Sequence, residues 1–540
     1  MKNLKLLTLA VFFLSGTVWA GPVKHLPSEW LDVQRTVWRD NGWTLHWPFP
    51  EVLVATHPTS GEREYVLCLA DDSPMTRVQW RGEAITGRSY GPPRKPFQRL
   101  AFGAMLYASD PETIDKIFGE MKGLGLNSVV LCTYISPQDW HEVEASAERH
   151  DMDMIIQYHA AYFLPQRGRR YYEEKALPKA MSMLGECHDS ERLLGFAVKE
   201  EPYVPLMPWL QEYHAELKKK YPDVPLYVCY NSTGAMAATR EPPVDVMGTD
   251  IYPFLGGYFG GGRQKPTFLT PQTALRGQLP RYLGQRSEEA LSRRAVFTYT
   301  PTVFGTNQVR SEESMKKGNI PRRDFPGVIP LENGHYILWR RYAPPRNAMR
   351  ASVWLSAAYG AQGWFPWYYA AKAENASVPE LPTDPYRYDW SLEGANQSPV
   401  WLEYAETAKE LRTFEDILLR IRPDGFPRFE TDDRLLVGKT FRIVPDAAGH
   451  VVILANLDVG RWEGYPHVDL NKQNLDVDKR GILTGYEPLH EPRRVQFCLR
   501  VRADETVRDL RTDKILEAAG PAEGSLQTFT IELPPGGGTL

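Results

Sequence analysis

From about residue 98 the chain alternates short apolar runs with longer amphipathic stretches, and it does so eight times. The apolar runs are 100–105, 128–132, 154–158, 194–199, 226–230, 244–248, 295–299 and 363–367. Runs of this length, apolar on both faces and separated by helical periodicity, predict parallel strands covered by helices. Asp110 and Pro111 read as N-cap and first residue of a helix that ends near Gly123-Leu124-Gly125. Ser136-Pro137 starts a second helix running to about His150, and further helices are predicted over 172–187 and 209–220. A last helix, 399–419, carries the apolar stripe Trp401, Ala405, Ala408, Leu411 and Ile417. Eight strand–helix units predict an α/β fold, a (β/α)8 TIM barrel over residues 98–422.

The flanks follow a different period. Residues 21–97 hold aromatic and β-branched runs such as Trp43–Trp47 and Glu51–Ala55, divided by turn residues, and predict a small β-rich cap. Beyond Arg422-Pro423-Asp424-Gly425 the runs 435–437, 440–443, 451–455, 495–499 and 528–533 predict a C-terminal antiparallel β-sandwich over 423–540. The first twenty residues read as an export signal: Lys2 and Lys5, an apolar stretch from Leu6 to Leu14, then Val18-Trp19-Ala20 at a cleavage position. That expectation places the protein in a secreted or periplasmic location. No apolar stretch is long enough to span a bilayer, so no membrane span is expected.

Charge narrows the choice of partner. With 63 Lys+Arg against 67 Asp+Glu in 540 residues, net −4, the chain lacks the basic footprint of a nucleic-acid binder. The 15 Trp, 27 Tyr and 21 Phe fit either large cores or sugar-stacking clefts. The five cysteines (Cys68, Cys132, Cys187, Cys229 and Cys498) are dispersed, without zinc-site spacing, and few or no disulfides are expected. No metal or cofactor is implied.

Barrel enzymes of this type place their chemistry at the C-terminal strand ends. Those ends offer carboxylates (Glu200, Glu201, Asp250) and aromatics or polar groups (Tyr134, Tyr158, His159, Asn231, Tyr252, Tyr299, Trp364, Trp367). Adjacent Glu200 and Glu201 repel, which favours one staying protonated near neutrality, as glycosidic-bond cleavage requires of its acid. Trp364, Trp367 and Tyr368 at strand eight are candidate sugar platforms, as are the strand-end tyrosines. The Gly256-Gly257 and Gly260–Gly262 stretch beside Asp250 reads as a lid.

Here Gly195-Phe-Ala-Val-Lys-Glu-Glu-Pro202 resembles the strand-four Asn/Asp-Glu-Pro motif of the large clan of (β/α)8 glycoside hydrolases that includes β-galactosidases. Val244-Asp-Val-Met-Gly-Thr-Asp-Ile-Tyr-Pro253 is similar to their sixth-strand pattern, and Ala357–Trp364 to their helix-to-strand-eight element. Gly394-Ala-Asn-Gln-Ser-Pro399 looks like the segment ahead of the last helix in β-galactosidase-like members. The resemblance implies Glu201 as acid/base, with Glu200 standing where the family has Asn or Asp, and a carbohydrate substrate. One piece departs from it: the retaining members' strand-seven Glu is absent from Thr298-Tyr-Thr-Pro-Thr-Val-Phe-Gly305. The second carboxylate is then expected to be Asp250, or Glu312, Glu313 or Glu332 from the following loop. Alternatively Glu200-Glu201 acts as in hexosaminidases, with the substrate acetamido group as nucleophile. A carbohydrate-binding barrel without catalysis, and more remotely a polysaccharide lyase, remain alternatives.

Overall fold

The computed structural model describes residues 41–49, 91–158, 170–254, 270–303, 344–369, 399–423, 428–444, 449–462, 486–519 and 526–540, with short described pieces between 52 and 89, 256 and 268, and 306 and 341. The leader 1–20, His159, Gly260–Gly262, Glu332, Cys68 and 394–398 lie outside the described residues.

Eight parallel strands form the barrel: β1 (Ala101–Leu106), β2 (Ser128–Leu131), β3 (Asp153–Gln157), β4 (Leu193–Ala197), β5 (Tyr227–Tyr230), β6 (Val246–Asp250), β7 (Val296–Thr300) and β8 (Gly363–Trp364). Neighbours pair in the order β4-β3-β2-β1-β8-β7-β6-β5, and a parallel bridge between Phe196 and Leu226 links β4 to β5 and closes the ring. Each strand sits where the apolar pattern predicts it. Around the ring pack α1 (Pro111–Gly123), α2 (Trp140–His150), α3 (Leu177–Cys187), α4 (Met207–Lys220), α5 (Leu279–Ser292), α6 (Arg346–Ala358) and α7 (Pro399–Arg412).

Two helix ends differ from the sequence reading. Asp110 caps α1 as expected, accepting from the Thr113 amide at 2.9 Å. α2 begins at Trp140 rather than Ser136, because the Ser136 hydroxyl bonds the Asp139 carboxylate at 2.7 Å and accepts the Asp139 amide, which holds a turn there. The stretch after Pro399 is two helices, Pro399–Arg412 and Glu415–Leu418, parted at Phe414, whose own conformation (φ −111°, ψ 12°) is not helical.

Alternation along the strands sorts their side chains onto two faces. One apolar cluster (Ala101, Met105, Val130, Cys132, Ile155, Ala197, Tyr227, Cys229, Val246, Val296 and Phe365) fills the barrel interior. A larger one, including Phe102, Leu131, Phe196, Tyr230, Phe297, Tyr299 and Trp364, packs between barrel and helices. Gly248 is on the inner face: a Cβ there would lie 2.7 Å from the Tyr227 hydroxyl and 2.9 Å from Thr298 Oγ1. The residue is small because Tyr227 lies across the interior.

Outside the barrel, Thr44–Phe49, Val52–Thr56, Arg63–Leu67 and Arg88–Ser89 form a four-stranded antiparallel sheet. At the C-terminus, a four-stranded sheet (Ile421–Pro423, Leu436–Ile443, His450–Asn456, Gly538–Thr539) and a three-stranded one (Phe429–Glu430, Arg493–Arg500, Leu526–Leu533) are antiparallel. Leu436 and Leu454 from the first meet Val495, Phe497, Phe529 and Ile531 from the second in one apolar cluster. Asn347 at the start of α6 docks this region on the barrel, donating to the carbonyls of Val459 (3.2 Å) and Leu489 (2.6 Å). Cys132, Cys187 and Cys229 are buried free thiols and Cys498 is half-buried and free.

Candidate active site

The inward parity of each strand, carried past its last residue, delivers a ring of side chains to the C-terminal mouth. On β1 the series Ala101, Gly103, Met105 reaches Tyr107. On β2 it runs through Val130 and Cys132 to Tyr134, which is 50% exposed. On β3 it ends at Gln157, and on β6 at Asp250 and then Tyr252. On β5 it brings up Asn231, which is exposed. Past β8, Phe365 and Trp367 continue the inner face, the latter half-buried.

Three carboxyl groups converge there. Glu200 follows β4 and accepts a hydrogen bond from Gln157 Nε2 at 2.9 Å. Burial first, then the neighbouring Glu201 charge, pushes its carboxyl up to about 7, against the lowering effects of Gln157 and Lys199. Glu201 adopts a left-handed conformation (φ +49°), and its amide donates to the Cys229 carbonyl at 2.9 Å, which fastens the β4 end to β5. That twist leaves the Glu201 side chain exposed, with its charge felt by Asp250. Asp250 is only 6% exposed. Its carboxyl is pushed well above the usual range by burial first, then by the neighbouring Glu201 and the charge of Glu200.

The cations beside them bond the backbone at the strand ends. Lys199 is buried and bonds the Glu200 carbonyl. Arg286 on α5, 4% exposed, donates to the Tyr230 carbonyl (2.9 Å), the Asn231 carbonyl (2.5 Å), the Asp250 carbonyl (3.4 Å) and the Thr249 hydroxyl. It ties together the ends of β5 and β6 and partly offsets the charge on Asp250. Burial lowers its own affinity for the proton.

The aromatic candidates divide. Tyr252 and Trp367 face each other at the mouth with ring centroids 6.4 Å apart. Trp367 Nε1 donates to the Tyr107 hydroxyl at 2.9 Å. Tyr134 meets Tyr158 edge-on at 5.6 Å, and Tyr158 is the buried member of that pair. Tyr299 and Trp364, expected from the sequence as sugar contacts, are 0% exposed. Both have the outward parity. Trp364 stacks on Phe102 at 4.5 Å and donates to Ser356 Oγ at 2.8 Å, and Tyr299 donates to the Ile251 carbonyl at 3.4 Å. Neither offers a face to a ligand. Tyr369, likewise outward, packs against Trp401.

Strand seven ends in threonine: Thr300 and Thr302 are buried where a carboxylate was sought. Glu312 and Glu313 open a short helix, Glu312–Lys317, and are exposed, with Glu312 paired to Lys316 at 3.5 Å. Among the described residues, no group of three or more His, Cys, Asp and Glu could hold a metal ion. Also among the described residues, no helix is long and apolar enough to cross a membrane.

Sequence reasoning missed Gln157, Arg286 and the thiol of Cys132 as parts of this mouth. Gln157 carried a usable signal, a polar residue closing an apolar run one position before the expected strand end. Arg286 carried none, since a lone arginine on a helix reads as solvated.

No protein-family model matches the sequence, and no curated protein matches it. Solved structures of similar shape include one titled simply glycoside hydrolase (TM-score 0.43, 9% identity, covering 80% of this chain and 92% of that one). A family 39 glycoside hydrolase from Bacteroides cellulosilyticus WH2 matches with TM-score 0.37 and 13% identity over 89% of this chain and 88% of its own. A family 5 mannosidase from Rhizomucor miehei matches with TM-score 0.35 and 9% identity over 58% of this chain and 94% of its own. At such identities and scores these likenesses carry no inference about chemistry, which rests on the mouth residues themselves.

Proposed function

We propose that the chain is a glycoside hydrolase that cleaves its substrate at the mouth of the barrel. The observation that carries this reading is the cluster Glu200, Glu201 and Asp250, in which Glu200 holds a proton into the neutral range at about 7. A leaving glycosidic oxygen needs a proton from such a group. Glu200 therefore takes the acid role, in place of Glu201, to which the family resemblance assigned it. Asp250, whose buried carboxyl is held well above the usual range, backs the site, and the exposed Glu201 side chain is placed to face the anomeric carbon or a water. Tyr107, Tyr134, Tyr252 and Trp367 supply aromatic faces and hydroxyls suited to a sugar.

Burial and the neighbouring Glu201 and Glu200 charges disfavour an ionised Asp250, which makes it a poor nucleophile. With threonines ending β7, this favours a second reading among the same class: the substrate's own acetamido group attacks, and the carboxyls orient it and supply the proton. Export, as the Lys2–Ala20 segment suggests, belongs to the same proposal and is tested by fractionating cells that carry an epitope-tagged chain.

The test is product analysis with a panel of neutral and N-acetylated oligosaccharides, using wild type, Glu200→Gln and Glu201→Gln. New reducing ends in wild type, lost in Glu200→Gln, support the reading. Cleavage confined to N-acetylated substrates selects the acetamido route. Sugar binding without new reducing ends in any substrate overturns hydrolysis and leaves a carbohydrate-binding barrel.

A further inference from the structure

The ladder between β5 and β6 stops short of the mouth. Its last pair is Thr249 with Tyr230, so Asn231 and Asp250 lie beyond it. Arg286 takes over there. Its guanidinium sits over the ring of Tyr282, one turn back on α5, at 5.4 Å from the ring centre. Nη1 donates to the Tyr230 carbonyl at 2.9 Å, to the Thr249 hydroxyl and, at 3.4 Å, to the Asp250 carbonyl. Nη2 donates to the Asn231 carbonyl at 2.5 Å. The Thr249 hydroxyl, accepting from Arg286, donates its own proton to the Tyr230 carbonyl at 3.1 Å. One side chain thus holds two strand ends where the backbone pairing has run out.

A tie of that kind needs donors but not a charge. Burying a guanidinium is costly unless a carboxylate pairs with it, and each of these bonds goes to a neutral oxygen. Its Nε is buried without a partner as well. The charge has another object, the Asp250 carboxyl, since the two groups act on each other. Glu200 and Glu201 after β4 oppose ionisation of Asp250, and Cys229 on β5, Tyr252 beyond β6 and Tyr299 on β7 are within reach of its charge. Among these groups Arg286 is the one that favours the ionised carboxylate.

We propose that Arg286 is a positioning residue of the mouth: it holds Asn231 and Asp250 in one fixed relation, and its charge draws Asp250 toward ionisation. The first half rests on the reading of the mouth as a hydrolase site, and the second does not. A planar fork that bonds carbonyls of both strands has no equivalent in the single ammonium of a lysine, so geometry and charge can be separated by substitution.

The experiment is a 13C-carboxyl NMR titration of the aspartate-labelled full chain, with Asp250→Asn identifying the resonance, together with kcat/KM on the oligosaccharide that wild type cleaves. Arg286→Met removes charge and donors, and the Asp250 midpoint is expected to rise by about one pH unit or more. Arg286→Lys keeps the charge and loses the fork: the midpoint is expected to stay at the wild-type value while kcat/KM falls by about 10- to 100-fold. A merely structural arginine would lower the melting temperature of both variants and leave the midpoint where it was. An unmoved midpoint in Arg286→Met overturns the charge role, and wild-type kcat/KM in Arg286→Lys overturns the positioning. Should Arg286→Met not fold, Arg286→Gln, an amide donor without charge, gives the same reading. The titration needs no turnover: if wild type cleaves no oligosaccharide the hydrolase reading falls, and the Asp250 midpoints still decide what Arg286 does.

Discussion

Asp250, at the end of β6, and Glu201, in the left-handed turn after β4, come together at the barrel mouth, where the Glu201 charge adds to burial in holding the Asp250 carboxyl well above the usual range. Neither strand alone brings them together. The turn at Glu201 points its side chain across β5, and Arg286 pins the β6 end that carries Asp250.

Replacing Glu201 by Gln removes the like charge that helps raise Glu200, so the Glu200 midpoint should fall below about 7. Cleavage should drop by about 10²- to 10⁴-fold at neutral pH, the usual range for a lost acid–base partner. Rate–pH profiles of the two proteins check both parts. A Glu201→Gln variant with full activity would contradict the role given to this carboxyl.

Glu200 also predicts how stability depends on pH. Its carboxyl is raised from an ordinary 4.5 to about 7 in the folded chain, so between those values the folded state binds more protons than the unfolded one. Stability attributable to this group is then present at low pH and lost as pH rises through that window. Glu200→Gln, which cannot ionise, should gain on wild type by about 1–3 kcal/mol between pH 4.5 and pH 8. Urea melts at the two pH values measure the difference, and a gain in the opposite sense would rule out the raised carboxyl.

The two faces of strand eight should respond differently to truncation. Trp364→Ala opens a void against Phe102 and strands Ser356, and a loss of about 3–5 kcal/mol of stability is expected. Trp367→Ala should cost less stability but weaken sugar binding, since this ring lies at the mouth beside Tyr252. Paired denaturation and binding measurements separate them. Equal binding losses in both variants would contradict the assignment of faces.

Thiol chemistry offers a check independent of any substrate. Burial pushes the Cys132, Cys187 and Cys229 thiols above their usual range, and a buried thiol is a poor nucleophile. Brief iodoacetamide treatment of the folded chain, followed by peptide mass mapping, should label Cys498 ahead of these three. Labelling of Cys132 at the same rate as Cys498 would show that the mouth opens more widely than described.

Much of this protein follows from local pattern. Eight apolar runs broken by helical periodicity determine the barrel, since a strand buried on both faces must be apolar throughout and must return through a covering helix. The pair Glu200-Glu201 and the carboxylate Asp250 were legible for a related reason: charged groups closing such runs can lie only at the mouth or in solvent. That same continuity hid the faces. A strand apolar on both sides shows no alternation, so Tyr299 and Thr300, or Trp364 and Phe365, are indistinguishable until the register of the closed ring sets which of them points inward. Tertiary structure alone decided that Tyr299 and Trp364 belong to the core, that Glu201 turns toward Asp250, and that Gln157 and Arg286 serve the mouth. Each depends on contacts between residues distant in the chain, whose energies depend on geometry that no local preference encodes.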